Sequence, residues 1–323
     1  MCHFWNIKKD FYPALKLFFI TKQMAVMTFM FTAFLLTGQS IISADKAKIR
    51  RRLHRLWVMH IAWAVIYFLF LMASAFTANK GHFAGKSITD MFTALAAQIV
   101  FGHSINPVMW FQVDLMLLTV IFAALYSSLR NRTVLAVICF AVVFAFFMQY
   151  SGINFMLFGE MGYTMKYTLG RVCEMIPPAC AGIIFAKYGL MNSIQRHRAL
   201  SIALCVAVLA LTIIYAEFIP DAPSFGYSGL YLNLSSILLT VIFCLLPMHS
   251  LPVWIKHCIG VISQFSPGVY CTHVLVELCL HPLRNYVTIS NSFTYCIVIF
   301  MVCLMLSFMI SKIFGRMGRS IVS

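Results

Sequence analysis

Charged residues are scarce in this chain: Asp, Glu, Lys and Arg make up only 10% of its 323 residues, and 62% are hydrophobic. A soluble domain has about 25% charged residues, so this composition excludes an ordinary water-soluble fold. Apolar runs of about 18 residues or more, long enough to cross a bilayer, recur along the chain. The sequence therefore predicts an all-α, polytopic transmembrane helical bundle that forms a single integral membrane domain over residues 1–323.

Several familiar signatures of chemistry are also missing. The chain has no P-loop, no dinucleotide-binding glycine motif and no nucleophile elbow. Its eleven cysteines form no C-x-x-C pair and lie mostly in apolar runs, which favours free, packed thiols over disulfides. The segment Met1–Trp5 lacks the basic start and the small-residue cleavage site of a signal peptide.

Nine apolar spans can be placed, at 23–43, 56–76, 107–127, 133–151, 168–187, 199–217, 229–247, 264–282 and 293–313. Two shorter apolar stretches, 87–102 and 251–262, are predicted to lie along the interface or to re-enter the membrane. The net charge of +15 falls mainly in short loops beside the spans, as the positive-inside rule expects, so we exclude nucleic acid as a partner. The same rule places the basic loop 44–55 and the C-terminus in the cytoplasm.

The first residues fit this topology poorly. With nine spans and a cytoplasmic C-terminus, residues 1–22 fall on the outer side, although they carry Lys8, Lys9, Lys16 and Lys22. A tenth span before Met1 would make residues 1–22 an outer loop. We therefore expect the chain to begin inside or just after its first membrane helix.

One apolar run contains an imidazole, His273. Glu277 follows four residues later and His281 four residues after that, so helical spacing puts all three on one face. Ionisable groups inside a membrane are costly unless they are paired or used, which makes this stripe the strongest pointer to chemistry. The carboxylate could orient the imidazole, and interhelical hydrogen bonding is the plainer interpretation. The spacing is not that of a zinc protease, so we predict no metal site.

Four stretches in chain order resemble the motifs of one family. They are Phe-Leu-Leu-Thr-Gly at 34–38 with the basic segment 48–56, Pro107–Phe111, the span with Arg171, Pro177, Pro178 and Gly182, and Ser266–His273. Together they resemble the acyltransferase-3 family of integral membrane O-acyltransferases of surface glycans. The likeness covers essentially the whole chain.

The resemblance implies ten membrane helices in the bacterial inner membrane. It also implies an acyl-CoA donor, usually acetyl-CoA, on the cytoplasmic side, and a hydroxyl acceptor that is often a cell-surface or lipid-linked carbohydrate. The family has an essential His near the end of its first helix, with an Arg about ten residues earlier. His3 aligns with that His and is expected to be the general base on the acceptor hydroxyl. The partner Arg would lie upstream of Met1.

Four arginines are candidates for holding the donor. Arg50, Arg51, Arg52 and Arg55 lie where cytosol meets membrane, and guanidinium groups bind the phosphates of coenzyme A in bidentate fashion. The R-x-x-R spacing of Arg52 and Arg55 matches the family motif. The alternative is that the cluster sets topology and contacts anionic headgroups of membrane lipids.

Three further ionisable residues lie within predicted spans. Arg171 and Glu174 are three apart on one helix face, and they form either a structural ion pair or part of the lining of the acyl-transfer cavity. Asp114 is either a hydrogen-bonded packing residue or the partner of a catalytic His or Arg.

Two other functions remain open. A transporter or flippase of a lipid-linked or charged solute would also use broken helices and ionisable residues at mid-membrane, although no internal repeat is seen. An inactive, truncated family member would explain the missing Arg.

Overall fold

The computed structural model describes residues 13–78, 83–102, 104–106, 108–150, 163–218, 237–238, 240–242, 251–280, 292–313 and 315. Their helices are α1 (Pro13–Ile42), α2 (Lys46–Ala78), α3 (Ile88–Phe101), α4 (Trp110–Ser128), α5 (Asn131–Tyr150), α6 (Tyr163–Tyr188), α7 (Leu190–Arg196), α8 (Arg198–Phe218), α9 (Val253–Leu280) and α10 (Ser292–Ile313). No strand occurs in this part of the chain, so the all-α prediction is confirmed.

Apolar length also supports the membrane assignment. Three of the described helical segments, Lys46–Phe76, Trp110–Ser128 and Val253–Leu280, are long and apolar enough to cross a membrane. Shorter apolar helical segments are Val26–Ile42, Ile88–Phe101, Asn131–Ala145, Arg198–Ala207 and Ile297–Ile313. The protein is therefore an integral membrane helical bundle, and the count of nine spans stays a prediction. The span predicted at 229–247 lies mostly outside the described residues.

Two predicted boundaries change. The stretch 251–262 is not a separate interfacial element, because α9 runs without a break from Val253 to Leu280. The basic loop predicted at 44–55 is helical from Lys46 onward. Asp45 starts this helix by accepting the backbone amide of Lys48 at 3.0 Å, and Lys, Arg and Leu are good helix formers. The separate short element predicted at 87–102 is found as α3.

The chain forms two compact units. The first contains the described residues within 51–113 and 248–323, and the second contains those within 7–50 and 114–247. In the first unit, α9 and α10 pack through Val269, Val276, Ile299 and Cys303, all of which are buried.

Helix α3 of the first unit has well-formed ends. Ser87 and Asp90 form a capping box at its start, and Gly102 ends it with a left-handed φ of 76°. A Cβ at Gly102 would lie 2.7 Å from the Cα of Trp110. Glycine is therefore required here for conformation and for space, and it lets the chain turn sharply from α3 towards α4.

In the second unit, α1 and α6 approach each other closely. Gly182 on α6 faces the backbone of Phe31 and Leu35, and Gly38 on α1 faces Ala186. The rings of Phe31 and Phe185 pack edge to face at 5.3 Å beside this contact. Small residues at a helix contact permit such closeness in membranes, where packing rather than the hydrophobic effect holds helices together.

Candidate functional site

The stretch Ser266–His273 lies in the middle of α9, where the helix has an irregular hydrogen-bond pattern. Pro267 has no backbone N–H, so the carbonyl of Ser263 loses its usual donor. The Ser266 hydroxyl donates to that carbonyl at 3.0 Å. The Thr272 hydroxyl donates to the carbonyl of Gly268 at 2.9 Å, one turn further on. Side chains of the motif therefore complete the backbone hydrogen bonding of this helix.

His273 is buried, with 4% of its surface exposed. Its Nδ1 lies 2.6 Å from the backbone carbonyl of Tyr270. A carbonyl oxygen can only accept, so Nδ1 carries the proton and donates. In the neutral imidazole, Nε2 is then the nitrogen with the lone pair, which is the form needed to accept a proton.

The same stretch contacts the start of α4. The Tyr270 hydroxyl donates to the carbonyl of Val108, and its ring packs edge to face against Phe111 with centroids 5.8 Å apart. Val108 and Phe111 belong to the segment Pro107–Phe111. Two of the motif stretches identified in the sequence are thus in direct contact within the first unit, although about 160 residues separate them along the chain.

A polar network that the sequence analysis did not predict lies beside them. His60, fully buried in α2, faces the side chain of Gln112 at 3.1 Å through Nδ1 and the carbonyl of Ile99 at 3.1 Å through Nε2. Gln112 continues to the thiol of Cys271, at 3.0 Å. The signal for this network was present in the sequence, because His60 is an imidazole inside a predicted span.

The orientation of the Gln112 amide follows from the protonation of His60. A neutral His60 that donates from Nε2 to backbone carbonyls has an acceptor at Nδ1, so the amide must then turn its NH₂ group towards the ring. The amide oxygen would then accept from the Cys271 thiol. The opposite orientation, with Oε1 facing Nδ1, would require a second proton on the buried ring, and burial disfavours that charge.

Gln98 ties the end of α3 to the segment that leads into α4. Its side-chain oxygen accepts the backbone amides of Ile105 at 2.6 Å and Asn106 at 2.8 Å. Asn106 in turn accepts the amide of Val108 at 3.1 Å. Non-helical backbone is tolerated at membrane depth only when its polar groups are satisfied in this way.

The rest of the predicted stripe on α9 is only partly described. Glu277 is half-buried one turn beyond His273, and His281 lies outside the described residues. Within the described part of the chain, no group of three or more His, Cys, Asp or Glu residues is arranged to hold a metal ion.

The second unit contains the charged residues predicted within spans. Asp114 on α4 is fully buried, and Arg171 on α6 is 4% exposed. Arg171 attracts the Asp114 carboxylate, and Glu174, one turn along α6, repels it. Both carboxylate oxygens of Asp114 are buried without a hydrogen-bond partner among the described residues. The sequence paired Arg171 with Glu174; the structure adds Asp114 to this cluster.

The arginines at the start of α2 differ in exposure. Arg50, Arg51 and Arg55 are exposed, whereas Arg52 is half-buried. Arg52 and Arg55 lie one turn apart and close enough to repel each other. Such closely spaced like charges favour an anion between or beside them. Whether they hold coenzyme A stays a prediction, as do the roles predicted for Arg171, Glu174, Asp114, His273 and Glu277. His3 lies outside the described residues.

Comparison with protein families identifies the chain. The profile of the acyltransferase-3 family, described as an acyltransferase domain, matches residues 1–318. The chain belongs to the acyltransferase-3 family. The resemblance inferred from four short motifs is therefore confirmed over nearly the whole sequence. Searches among curated proteins and among solved structures gave no match.

Membership of the acyltransferase-3 family supports a membrane acyltransferase, with an acyl donor, an acceptor and contact with membrane lipids. The structure also shows which contacts the residues of the family motifs make. Gly38 and Gly182 face the opposite helix at the α1–α6 contact, and Tyr270 joins α9 to the segment before α4.

Proposed function

We propose that this acyltransferase moves an acyl group, acetyl in the usual case of its family, from acyl-CoA to a hydroxyl of a cell-surface or lipid-linked carbohydrate. The observation that carries the proposal is the buried imidazole of His273, which is held by the Tyr270 carbonyl inside a helix of a chain that matches the acyltransferase-3 family over residues 1–318. A buried imidazole in an apolar helix is costly unless it is paired or used, and the pairing of His273 through Nδ1 leaves Nε2 for chemistry.

The reaction is an ester-forming exchange. The oxygen of the acceptor hydroxyl attacks the thioester carbonyl carbon, a C–O bond forms and the C–S bond breaks. His3 accepts the hydroxyl proton and returns it to the leaving thiolate, so coenzyme A departs as a thiol. Arg171 or His273 steadies polar groups in the cavity during transfer. Transfer through an acyl-enzyme has the same net balance in two steps: an enzyme nucleophile first displaces coenzyme A, and the acceptor hydroxyl then displaces that nucleophile.

The donor binds at the basic start of α2. Coenzyme A carries a diphosphate and a 3′-phosphate, and the exposed Arg50, Arg51 and Arg55 with the half-buried Arg52 offer the guanidinium groups that such phosphates prefer. This chemistry supports acyl-CoA as the donor. The positive-inside rule favours the cytoplasmic face for its binding.

The test is acyl transfer by the purified, full-length protein in lipid nanodiscs. Radiolabelled acetyl-CoA is supplied with lipid-linked glycan, and both free thiol and labelled glycan are measured. We expect stoichiometric thiol release and glycan labelling, both lost in His3→Ala. The control is His197→Ala, since His197 is exposed and has no proposed role. Solute uptake into proteoliposomes without any glycan labelling would contradict the proposal and favour a transporter.

A further inference from the structure

The hydroxyl of Tyr67 joins two backbone groups of one turn of α9. It donates to the carbonyl of Cys271 at 2.8 Å and accepts from the amide of Leu275 at 2.9 Å. Residues 271 and 275 are four apart, so this amide and this carbonyl are the two ends of one rung of the α-helical hydrogen-bond ladder. The side chain of Tyr67 on α2 therefore contacts both ends of that rung of α9.

The bridged turn has His273 at its centre. A side chain that bonds to both groups of one rung ties that turn to the helix from which it comes, here α2. The imidazole of His273 folds back to the Tyr270 carbonyl within the same region. The backbone turn that carries this imidazole is therefore hydrogen-bonded to the Tyr67 hydroxyl on both sides of His273.

Tyr67 is itself held rigidly. The residue is fully buried, and the ring of Trp63, one turn earlier on α2, lies against it with centroids 6.4 Å apart. A buried phenol needs a partner for its hydroxyl, and here the hydroxyl both donates and accepts. The bridge is thus a fixed feature of the packed core.

We propose that Tyr67 is a positioning residue, which bridges Cys271 and Leu275, fixes the turn around His273 against α2 and thereby sets the orientation of its imidazole. The inference rests on the proposed function only in that His273 takes part in acyl transfer. If Tyr67 had only a structural role, it would matter only that its backbone partners are hydrogen-bonded. Removal of the hydroxyl would then leave kcat unchanged, whereas a positioning role predicts a lower kcat.

Tyr67→Phe separates them. Without the hydroxyl, the amide of Leu275 and the carbonyl of Cys271 can bond to each other, so neither is left unsatisfied and the fold should persist. The turn is then no longer tied to α2, and His273 moves. We expect kcat to fall about 10- to 100-fold with the KM for acyl-CoA unchanged, as for a small misplacement of a reacting group. Tyr126→Phe, the same chemical change in the second unit, should leave kcat unchanged.

A second measurement does not depend on activity. ¹⁵N NMR of histidine-labelled protein, with the His273→Gln spectrum subtracted, reports which ring nitrogen of His273 carries the proton. We expect the Nδ1–H form in the wild type and a changed spectrum in Tyr67→Phe. An unchanged spectrum in Tyr67→Phe, or an unchanged kcat, overturns the positioning role.

A third measurement needs only the wild type and covers the case in which Tyr67→Phe does not fold. A density map should show the phenol oxygen between the Cys271 carbonyl and the Leu275 amide. A direct bond between those two groups, with the phenol oxygen elsewhere, overturns the inference. If the wild-type protein does not transfer acyl groups, the proposed function fails. The NMR and density results still decide whether Tyr67 orients His273.

Discussion

Gly182 on α6 lies so close to α1 that a Cβ at this position would stand 2.5 Å from the carbonyl oxygen of Phe31 and 2.9 Å from the amide nitrogen of Leu35. Both neighbours are backbone atoms, which cannot turn aside as a flexible side chain can. The two helices must therefore separate before any larger residue fits. The contact depends on one missing methyl group.

Gly182→Ala should destabilise the protein by about 1–3 kcal/mol, the usual cost of overpacking. Thermal unfolding in detergent, followed by intrinsic fluorescence, measures it. Gly260→Ala is the matched control: Gly260 is also helical, a Cβ there meets nothing within 4 Å, and alanine is the better helix former, so the melting temperature should stay or rise. Equal stability of Gly182→Ala and wild type would contradict the α1–α6 geometry.

Arg52→Ala should raise the KM for acyl-CoA by about tenfold or more, since a hydrogen bond to a charged group contributes about 1.5–3 kcal/mol. Steady-state thiol release at varied acyl-CoA measures it. Lys46→Ala removes the same charge from the same segment, at an exposed position. If both variants raise KM equally, the segment acts through its overall charge and Arg52 has no specific part in donor binding.

Asp114 and Arg171 should be energetically coupled. Asp114→Asn and Arg171→Gln each remove one of two buried groups that attract each other, and each should lower the free energy of unfolding by about 1–3 kcal/mol. The double variant should cost clearly less than the sum of the single variants. Denaturant unfolding of all four proteins gives the coupling energy, and strict additivity would rule out a direct interaction.

Gln98→Met should destabilise the first unit. The methionine has nearly the same shape, but its sulfur is only a weak acceptor, so the amides of Ile105 and Asn106 lose a strong buried partner. Each unsatisfied buried group costs about 1–3 kcal/mol, and the melting temperature should fall. Gln195→Met, at an exposed position on α7, should leave it unchanged. An equal fall in the melting temperature of both variants would mean that the introduced methionine, and not the lost acceptor, destabilises the protein.

Much of the fold was predictable because bilayer length dictates it. Apolar runs had to become helices, since no other open structure satisfies its backbone in hydrocarbon. Boundaries were less predictable. Hydropathy marks where a helix meets lipid and not where its hydrogen bonds begin. For this reason the sequence predicts a loop at the basic start of α2 and a separate element at the first turns of α9, where the structure has continuous helix.

The candidate site was predictable as residue types and not as contacts. The sequence pointed to His273, Asp114 and Arg171 because ionisable groups in apolar runs stand out. It gave no sign that Tyr67 would contact Leu275, since 208 residues separate them. A tyrosine within an apolar span is also too common to mark a site. Contacts between distant helices arise only from packing.

The bridge from Tyr67 has a consequence for protein engineering. The stretch Ser266–His273 owes part of its shape to a hydroxyl that another helix supplies. Transplanting those eight residues into a different membrane helix would transfer the sequence of the motif but not its geometry. A functional graft would have to include α2 as well, at the same register.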